Sequence, residues 1–328
     1  MTDRRTAAVQ RDGLGTPPPA RPRKWPRVWI TLGLTMALVV GAAWLITRPA
    51  TLSLAAQAEL GAMTGDPVAG EQVFWAAGCA ACHAADGAQG AARLILSGGQ
   101  RFTSPFGTFV APNISMHPTQ GIGGWTQAQF VTALRMGTSP DGRHYYPAFP
   151  YAAYRLAAPQ DLVDLWAYWQ GLPVSDQPSL PHDLGFPFTI RRAVGVWKWR
   201  HLRDDFVQSG DLNPDQARGR YLVEALAHCG ECHTPRGALG GLDTTRWLAG
   251  APNPSGTGTI PALTPDRLTW STADIAAYLS DGFTPDFDSA GGSMVAVIAN
   301  MAQLPETDRQ AIAAYLKTVP PATDRPQP

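Results

Sequence analysis

Cysteine is scarce in this chain and none of it is spare. The four cysteines of its 328 residues all lie in two copies of one string, Cys79-Ala80-Ala81-Cys82-His83 and Cys229-Gly230-Glu231-Cys232-His233. No thiol is left for a structural disulfide. A zinc site usually brings both pairs to one metal at closed spacing, whereas these copies start 150 residues apart, at 79 and 229, and each ends at once in histidine. An excess of charge of one sign is missing too: 26 basic and 26 acidic side chains give a formal net charge of zero, which argues against nucleic acid as a partner. The chain carries no flavin-, quinoprotein- or molybdenum-binding signature, so a catalytic centre of that kind would have to come from a partner. Long apolar runs are lacking except for one.

What the two strings can do is specific. In C-x-x-C-H the thiols are spaced to form thioethers with the vinyl groups of one haem, and the adjacent histidine is placed to bind the iron from the proximal side. The expectation is two covalently bound haems c, held by Cys79, Cys82 and His83 and by Cys229, Cys232 and His233.

The one long apolar run, Val28 to Thr47, is 20 uncharged residues, enough to cross a bilayer as a helix, with Trp29 and Trp44 near its ends. Arg4, Arg5, Arg11, Arg21, Arg23, Lys24 and Arg27 precede it against Asp3 and Asp12. The positive-inside rule then puts residues 1–27 in the cytoplasm and the rest beyond the inner membrane, in the periplasm. A cleaved signal peptide is the competing reading, but its apolar region would be shorter. Residues 1–48 take eight basic and two acidic groups, leaving 18 basic and 24 acidic on the exported part, a net charge of −6.

The chain also repeats. WTQAQFVTALRMGTSPD (Trp125 to Asp141) aligns without gaps on WSTADIAAYLSDGFTPD (Trp270 to Asp286), and PQDLVDLWAYWQGLP (Pro159 to Pro173) on ETDRQAIAAYLKTVP (Glu306 to Pro320). Each copy of the first pair reads as Trp, a Ser or Thr cap, an amphipathic helix and a terminating glycine, Gly137 or Gly282. Each half is then a leading helix, C-x-x-C-H, a long loop, a middle helix, a distal loop and a terminal helix. Gly70 and Phe74 should face Leu165, Tyr168 and Trp169; Gly219 and Leu222 should face Ile312, Tyr315 and Leu316. The fold expected is all-α: a transmembrane helix and two tandem cytochrome c domains. The boundaries are a Pro/Arg-rich tail (1–27), an anchor (28–47), a linker (48–65), domain 1 (66–174), a strap (175–216), domain 2 (217–320) and a short tail (321–328).

The distal loops differ. Met294 follows Gly282 by 12 residues and is the candidate sixth ligand of haem 2, with Met301 as its rival. The same step after Gly137 reaches Phe149, which cannot bind iron. Haem 1 therefore takes another ligand or none. His144 in the distal loop leads, ahead of Met136 at the end of the middle helix and an open or water-filled position, while Met116 and His117 in the long loop read better as packing or surface residues. In the strap, Arg191, Arg192, Lys198, Arg200 and Arg203 interleave with Trp197 and Trp199, either packing the domains together or forming a docking or membrane-facing surface.

With APNIS, GIGGWTQAQF, SPDGRHYYPAFPY and LWAYWQGLP in the first half, and YLVEALAHCGECHTPRGALGG, WLAG, GGSM and LPETDRQAIAAYLK in the second, residues 66–320 resemble the membrane-bound cytochrome c subunits of bacterial periplasmic alcohol, gluconate, sorbitol and aldehyde dehydrogenases. The resemblance implies helical cytochrome c domains that take electrons from a dehydrogenase catalytic subunit and pass them to quinone, an oxidase or another cytochrome. It supports Cys79, Cys82, His83, Cys229, Cys232, His233 and Met294 as haem residues. Three departures stand out: two haem motifs where many such subunits have three, an N-terminal membrane helix, and Phe149 where others carry methionine in YPAMPY. A non-catalytic electron-transfer subunit is the first reading. The alternatives are an enzyme of dihaem peroxidase type with an open haem 1 site, and a haem-based sensor, for which no output domain is evident.

Overall fold

A computed structural model describes residues 25–254, 256 and 258–321. Most of the proposed cytoplasmic tail and nearly all of the C-terminal tail lie outside the described residues. Residues up to Leu45 and residues from Ile46 onward form two compact units. The first contains α1 (Trp25–Ile46 in full), within which Arg27–Ile46 is long and apolar enough to cross a membrane, with mean hydropathy 2.0 and no buried side chain.

The second unit is mostly helical. It begins with α2 (Leu54–Ala62), then α3 (Pro67–Ala76) and the one-turn α4 (Cys79–His83). The middle helix α5 (Gln127–Met136), the short α6 (Tyr151–Tyr154) and the terminal helix α7 (Pro159–Trp169) complete the first repeat. The strap contributes α8 (Val194–His201). The second repeat runs α9 (Pro214–Tyr221), continued by a π turn over Leu222–Leu226, then α10 (Gly230–His233), α11 (Thr272–Asp281), α12 (Met294–Met301) and α13 (Glu306–Leu316).

Local chemistry explains where these helices start and stop. Thr126 and Ser271 cap α5 and α11 by accepting from the backbone N–H three residues on, and the side chains of Gln129 and Asp274 accept in return. Gly137 and Gly282 end the same helices in the left-handed region, at φ 58° and 81°, where a Cβ is disfavoured. Pro67, Pro159 and Pro214 stand in first turns, where a missing N–H costs nothing.

In each repeat the leading helix crosses the terminal helix at a glycine. A Cβ on Gly70 would collide with the Asp164 carbonyl and the Tyr168 side chain, and one on Gly219 with the Ala311 carbonyl and Tyr315. Phe74 packs on Tyr168 and Trp169 with ring centroids 5.4 and 5.7 Å apart, and Leu222 and Tyr315 are fully buried in the equivalent place. The crossings read from the sequence are present in both repeats, and one continuous apolar core runs through the two.

Three features were not foreseen. Residues 48–65, expected as a linker, contain α2, whose Leu60 carbonyl and that of its C-cap residue Met63 accept from Gln127 of α5. The long loop of the first repeat holds a hairpin, β1 (Arg101–Ser104) against β2 (Gly107–Val110), and the strap adds β3 (Asp183–Leu184) to make a three-stranded antiparallel sheet. The second repeat has instead the short pair β4 (Ala251–Pro252) and β5 (Thr259–Ile260).

Candidate haem sites

The two C-x-x-C-H strings fold alike. Each forms a single helical turn, so its cysteines stand three residues apart on one face. Each turn is entered through a left-handed residue, Gly78 at φ 68° and His228 at φ 42°. Histidine adopts that conformation at some cost, and here its ring stacks edge-on against Tyr154 at 5.6 Å and lies 3.9 Å from where a Gly78 Cβ would be.

The histidine of each string is oriented by a backbone carbonyl. His83 Nδ1 is 2.9 Å from the Pro112 carbonyl oxygen and His233 Nδ1 is 2.8 Å from that of Pro261. A proton on Nδ1 donated to the carbonyl leaves Nε2 as the nitrogen that can take a metal. Burial pushes both imidazoles below their usual pKa, with the carbonyl bond opposing, which favours the neutral ring that ligation requires. The carbonyls of the same two histidines accept from Gly98 N and Gly250 N at 2.8 Å, and Leu96 and Leu248 pair with Ile114 and Leu263 next to the orienting prolines. Buried Asn113 secures the first loop by donating to the Ser175 and Gln177 carbonyls at 2.9 and 2.7 Å while accepting from Ser115 N. Two thiols and one free imidazole nitrogen per turn, with the ring orientation fixed, are the donors that haem c needs.

The two turns meet at the junction of the repeats. Helix α12 of the second repeat packs on α3 and α4 of the first, and α6 of the first packs on the Leu222–Leu226 turn of the second. Arg93 reaches across to donate to the Ala299 carbonyl at 2.9 Å and to Asn300 Oδ1, while its guanidinium covers the Trp75 ring at 4.6 Å. Burial together with nearby Cys232 pushes the Cys82 thiol up to about 11.

The distal loops keep one register across the repeats. Tyr145 N bonds the Gly137 carbonyl at 2.7 Å and Ala290 N bonds that of Gly282 at 2.8 Å; Ser139–Arg143 and Thr284–Asp288 match in the same way. Carried four residues on, this register pairs Phe149 with Met294, the first residue of α12. Met294 is half-buried against the core, and its rival Met301 is fully buried at the other end of the helix. Phe149 sits among Tyr145, Tyr151 and Tyr154, with centroids 5.7 to 6.1 Å away.

Of the other candidates for haem 1, His144 is buried, with Nε2 2.8 Å from the Thr47 carbonyl and Nδ1 without a hydrogen-bond partner. Only Nδ1 is therefore available to a metal. Met136 Sδ accepts from Arg155 at 3.3 Å. Half-buried Met116 packs on the core, and His117 Nδ1 accepts from the backbone of Thr119 and Gln120 within its own loop. Sequence reasoning missed Pro112, Pro261 and Asn113; APNIS was the signal for the first and third.

A family profile described as cytochrome c matches residues 67–173 and again 216–320. The chain belongs to the cytochrome c family. This cytochrome is 57% identical over 293 residues to a protein named diheme cytochrome c-type from Cereibacter sphaeroides, a match covering 89% of this chain and 98% of that one. It is 40% identical over 259 residues to the fructose dehydrogenase cytochrome subunit of Gluconobacter japonicus, covering 76% of this chain and 52% of that one. With the gluconate 2-dehydrogenase cytochrome c subunit of Pantoea cypripedii it shares 34% over 298 residues, 87% of this chain and 64% of the relative. The cytochrome thus spans nearly all of the first relative, but about half to two thirds of the two dehydrogenase subunits. These relatives support haem c binding and electron transfer.

Proposed function

We propose that the chain is a dihaem electron relay, anchored in the inner membrane with its haem domains in the periplasm, that takes electrons from a dehydrogenase catalytic subunit and passes them to quinone, an oxidase or another cytochrome. The observation that carries it is the paired site: two like turns, each with a histidine held through Nδ1 by a proline carbonyl, brought together where the repeats meet. Haem c would supply one-electron redox chemistry at each turn. The chain would hold these groups by attachment through Cys79, Cys82, Cys229 and Cys232, by Nε2 of His83 and His233 toward the iron, and by a thioether from Met294 for haem 2. For haem 1 the proposed sixth ligand is His144 through Nδ1, with Met136 or an open position as the competing assignments.

With both a histidine and a second side chain committed to it, an iron held this way would have no position for substrate and would suit electron transfer, because little would have to move when the charge changes. The dehydrogenase donor is supported by the relatives' names, and the acidic exported surface would suit a basic docking patch. The test is gentle detergent extraction of the tagged native protein from its own membranes, with mass spectrometry of what co-purifies in stoichiometric amount. A dehydrogenase subunit supports the relay and identifies its substrate class; isolation without one, whether alone or only with an oxidase, contradicts the dehydrogenase donor.

A second reading rests on Phe149. An open haem 1 could bind peroxide, with haem 2 supplying electrons. An oxidised protein that is entirely low-spin and unresponsive to cyanide and peroxide would rule it out.

A further inference from the structure

The strap between the repeats carries a surface that the relay leaves unused. From Leu184 to Arg203 there is no acidic residue, while Arg191, Arg192, Arg200 and Arg203 are basic and at least partly open to solvent, in an exported part that is net acidic. Residues 185–190 are all exposed, with Phe186 82% and Ile190 48% accessible. On α8, Val194, Gly195 and Lys198 are buried, whereas Val196, Trp199 and Arg200 face solvent, Trp199 with 70% of its surface. Aromatic and aliphatic side chains interleaved with arginine suit the headgroup layer of a bilayer, where rings take the interface and guanidinium groups meet phosphate.

The place of this surface in the chain says which occupant it fits. The apolar span ends at Ile46, and the next residue, Thr47, is held by the strap. Gly195 packs so closely on Thr47 that a Cβ would lie 2.5 Å from its Cα and carbonyl oxygen. Arg192 Nε donates to Thr47 Oγ1 at 3.0 Å. His144 Nε2 meets the Thr47 carbonyl, and Arg191 Nη1 donates to the His144 carbonyl at 2.9 Å. A residue one peptide bond from a membrane span stays near the bilayer surface, so the strap that grips it stays there too.

We infer that residues 185–203 form a peripheral membrane-binding surface for anionic phospholipid headgroups. This rests on the proposed anchor, and its test separates the two. The native cysteines being committed to haem, a nitroxide can be placed on a single new cysteine at Phe186, at Trp199 or, within the span, at Ile30. Each labelled full-length haem protein is reconstituted in phosphatidylcholine–phosphatidylglycerol vesicles, and collision of the label with oxygen and with a water-soluble nickel chelate is measured. Phe186 and Trp199 are largely exposed, so neither substitution removes core packing, and the haem spectrum reports folding. Oxygen favoured over nickel at all three sites is the expected result. Nickel favoured at Phe186 and Trp199 with oxygen favoured at Ile30 would overturn the surface and leave the anchor standing; nickel favoured at all three would remove both. Shielding of Phe186 and Trp199 from both reagents would indicate a protein neighbour in place of lipid and would also overturn the inference.

Discussion

Adding one methyl group at Gly70 should have the opposite effect to adding it at Gly61, although both glycines lie in helices. Glycine to alanine in a helix gains about 1 kcal/mol from backbone propensity where nothing obstructs the new Cβ. At Gly61 on α2 nothing lies within 4 Å, so Gly61→Ala should stabilise, by about 0.5 kcal/mol so near the helix end. At Gly70 the Cβ would strike the Asp164 carbonyl of α7, which cannot rotate away as a side-chain tip can. Forced overpacking of that kind costs about 1–3 kcal/mol, and a clash with rigid backbone belongs at the upper end, so after the propensity gain of about 1 kcal/mol Gly70→Ala should lose up to about 2 kcal/mol net and push apart the helix crossing that leads into Cys79. Thermal unfolding followed by far-ultraviolet circular dichroism gives the stability, and the reduced haem spectrum shows whether the loss reaches the site. Gly219→Ala should behave as Gly70→Ala does, through Ala311. A Gly70→Ala variant as stable as Gly61→Ala would refute the reasoning, because it would mean that the close crossing does not exist.

Other outcomes follow from the same structure. Replacing Met294 with leucine should shift one of two redox waves to lower potential and abolish the thioether-to-iron charge-transfer band, leaving the other wave in place; an unchanged titration would return the assignment to Met301. His144→Ala should alter the spectrum and potential of haem 1 alone, and no change in either would exclude histidine as its ligand. Lys198 is buried and donates to the Met136 and Gly137 carbonyls at 2.7 and 2.6 Å, and burial with nearby Arg155 pushes its pKa down to about 7. Between pH 7 and the ordinary lysine range the unfolded chain then holds a proton that the folded chain lacks, so stability should rise with pH by up to about 1.4 kcal/mol per unit relative to Lys198→Met. Denaturant midpoints from pH 7 to 9 measure this; a pH-independent difference would show that the two carbonyls and the end of α5 keep the ammonium charged.

The helical scaffold was legible because its signals are local. Thr126, Gln129 and Gly137 each act within a turn or two of their own positions, and Ser271, Asp274 and Gly282 repeat the same chemistry 145 residues later. Gly70 and Gly219 could be read because a repeat exposes positions that must stay small. What stayed hidden depends on backbone groups or on distant contacts. The carbonyls of Pro112 and Pro261 orient His83 and His233, and because every residue carries a carbonyl the sequence offers only the string APNIS as a pointer, for the first of them. The strap's role depends on Gly195 meeting Thr47 across nearly 150 residues, and two of its residues add a third strand to a hairpin that the first repeat does not share with the second. His144 was legible as a metal-binding residue type, but its contact with Thr47 was not, and that contact limits which nitrogen could serve iron.

The most direct measurement is a spectroelectrochemical titration of the mature full-length protein, with haem counted by pyridine haemochrome on the same sample. A relay requires two covalently attached haems per chain, each taking up one electron reversibly, with fully low-spin spectra and no reaction with peroxide. A single haem per chain, haem lost on denaturation in acid acetone, or turnover of peroxide would contradict it.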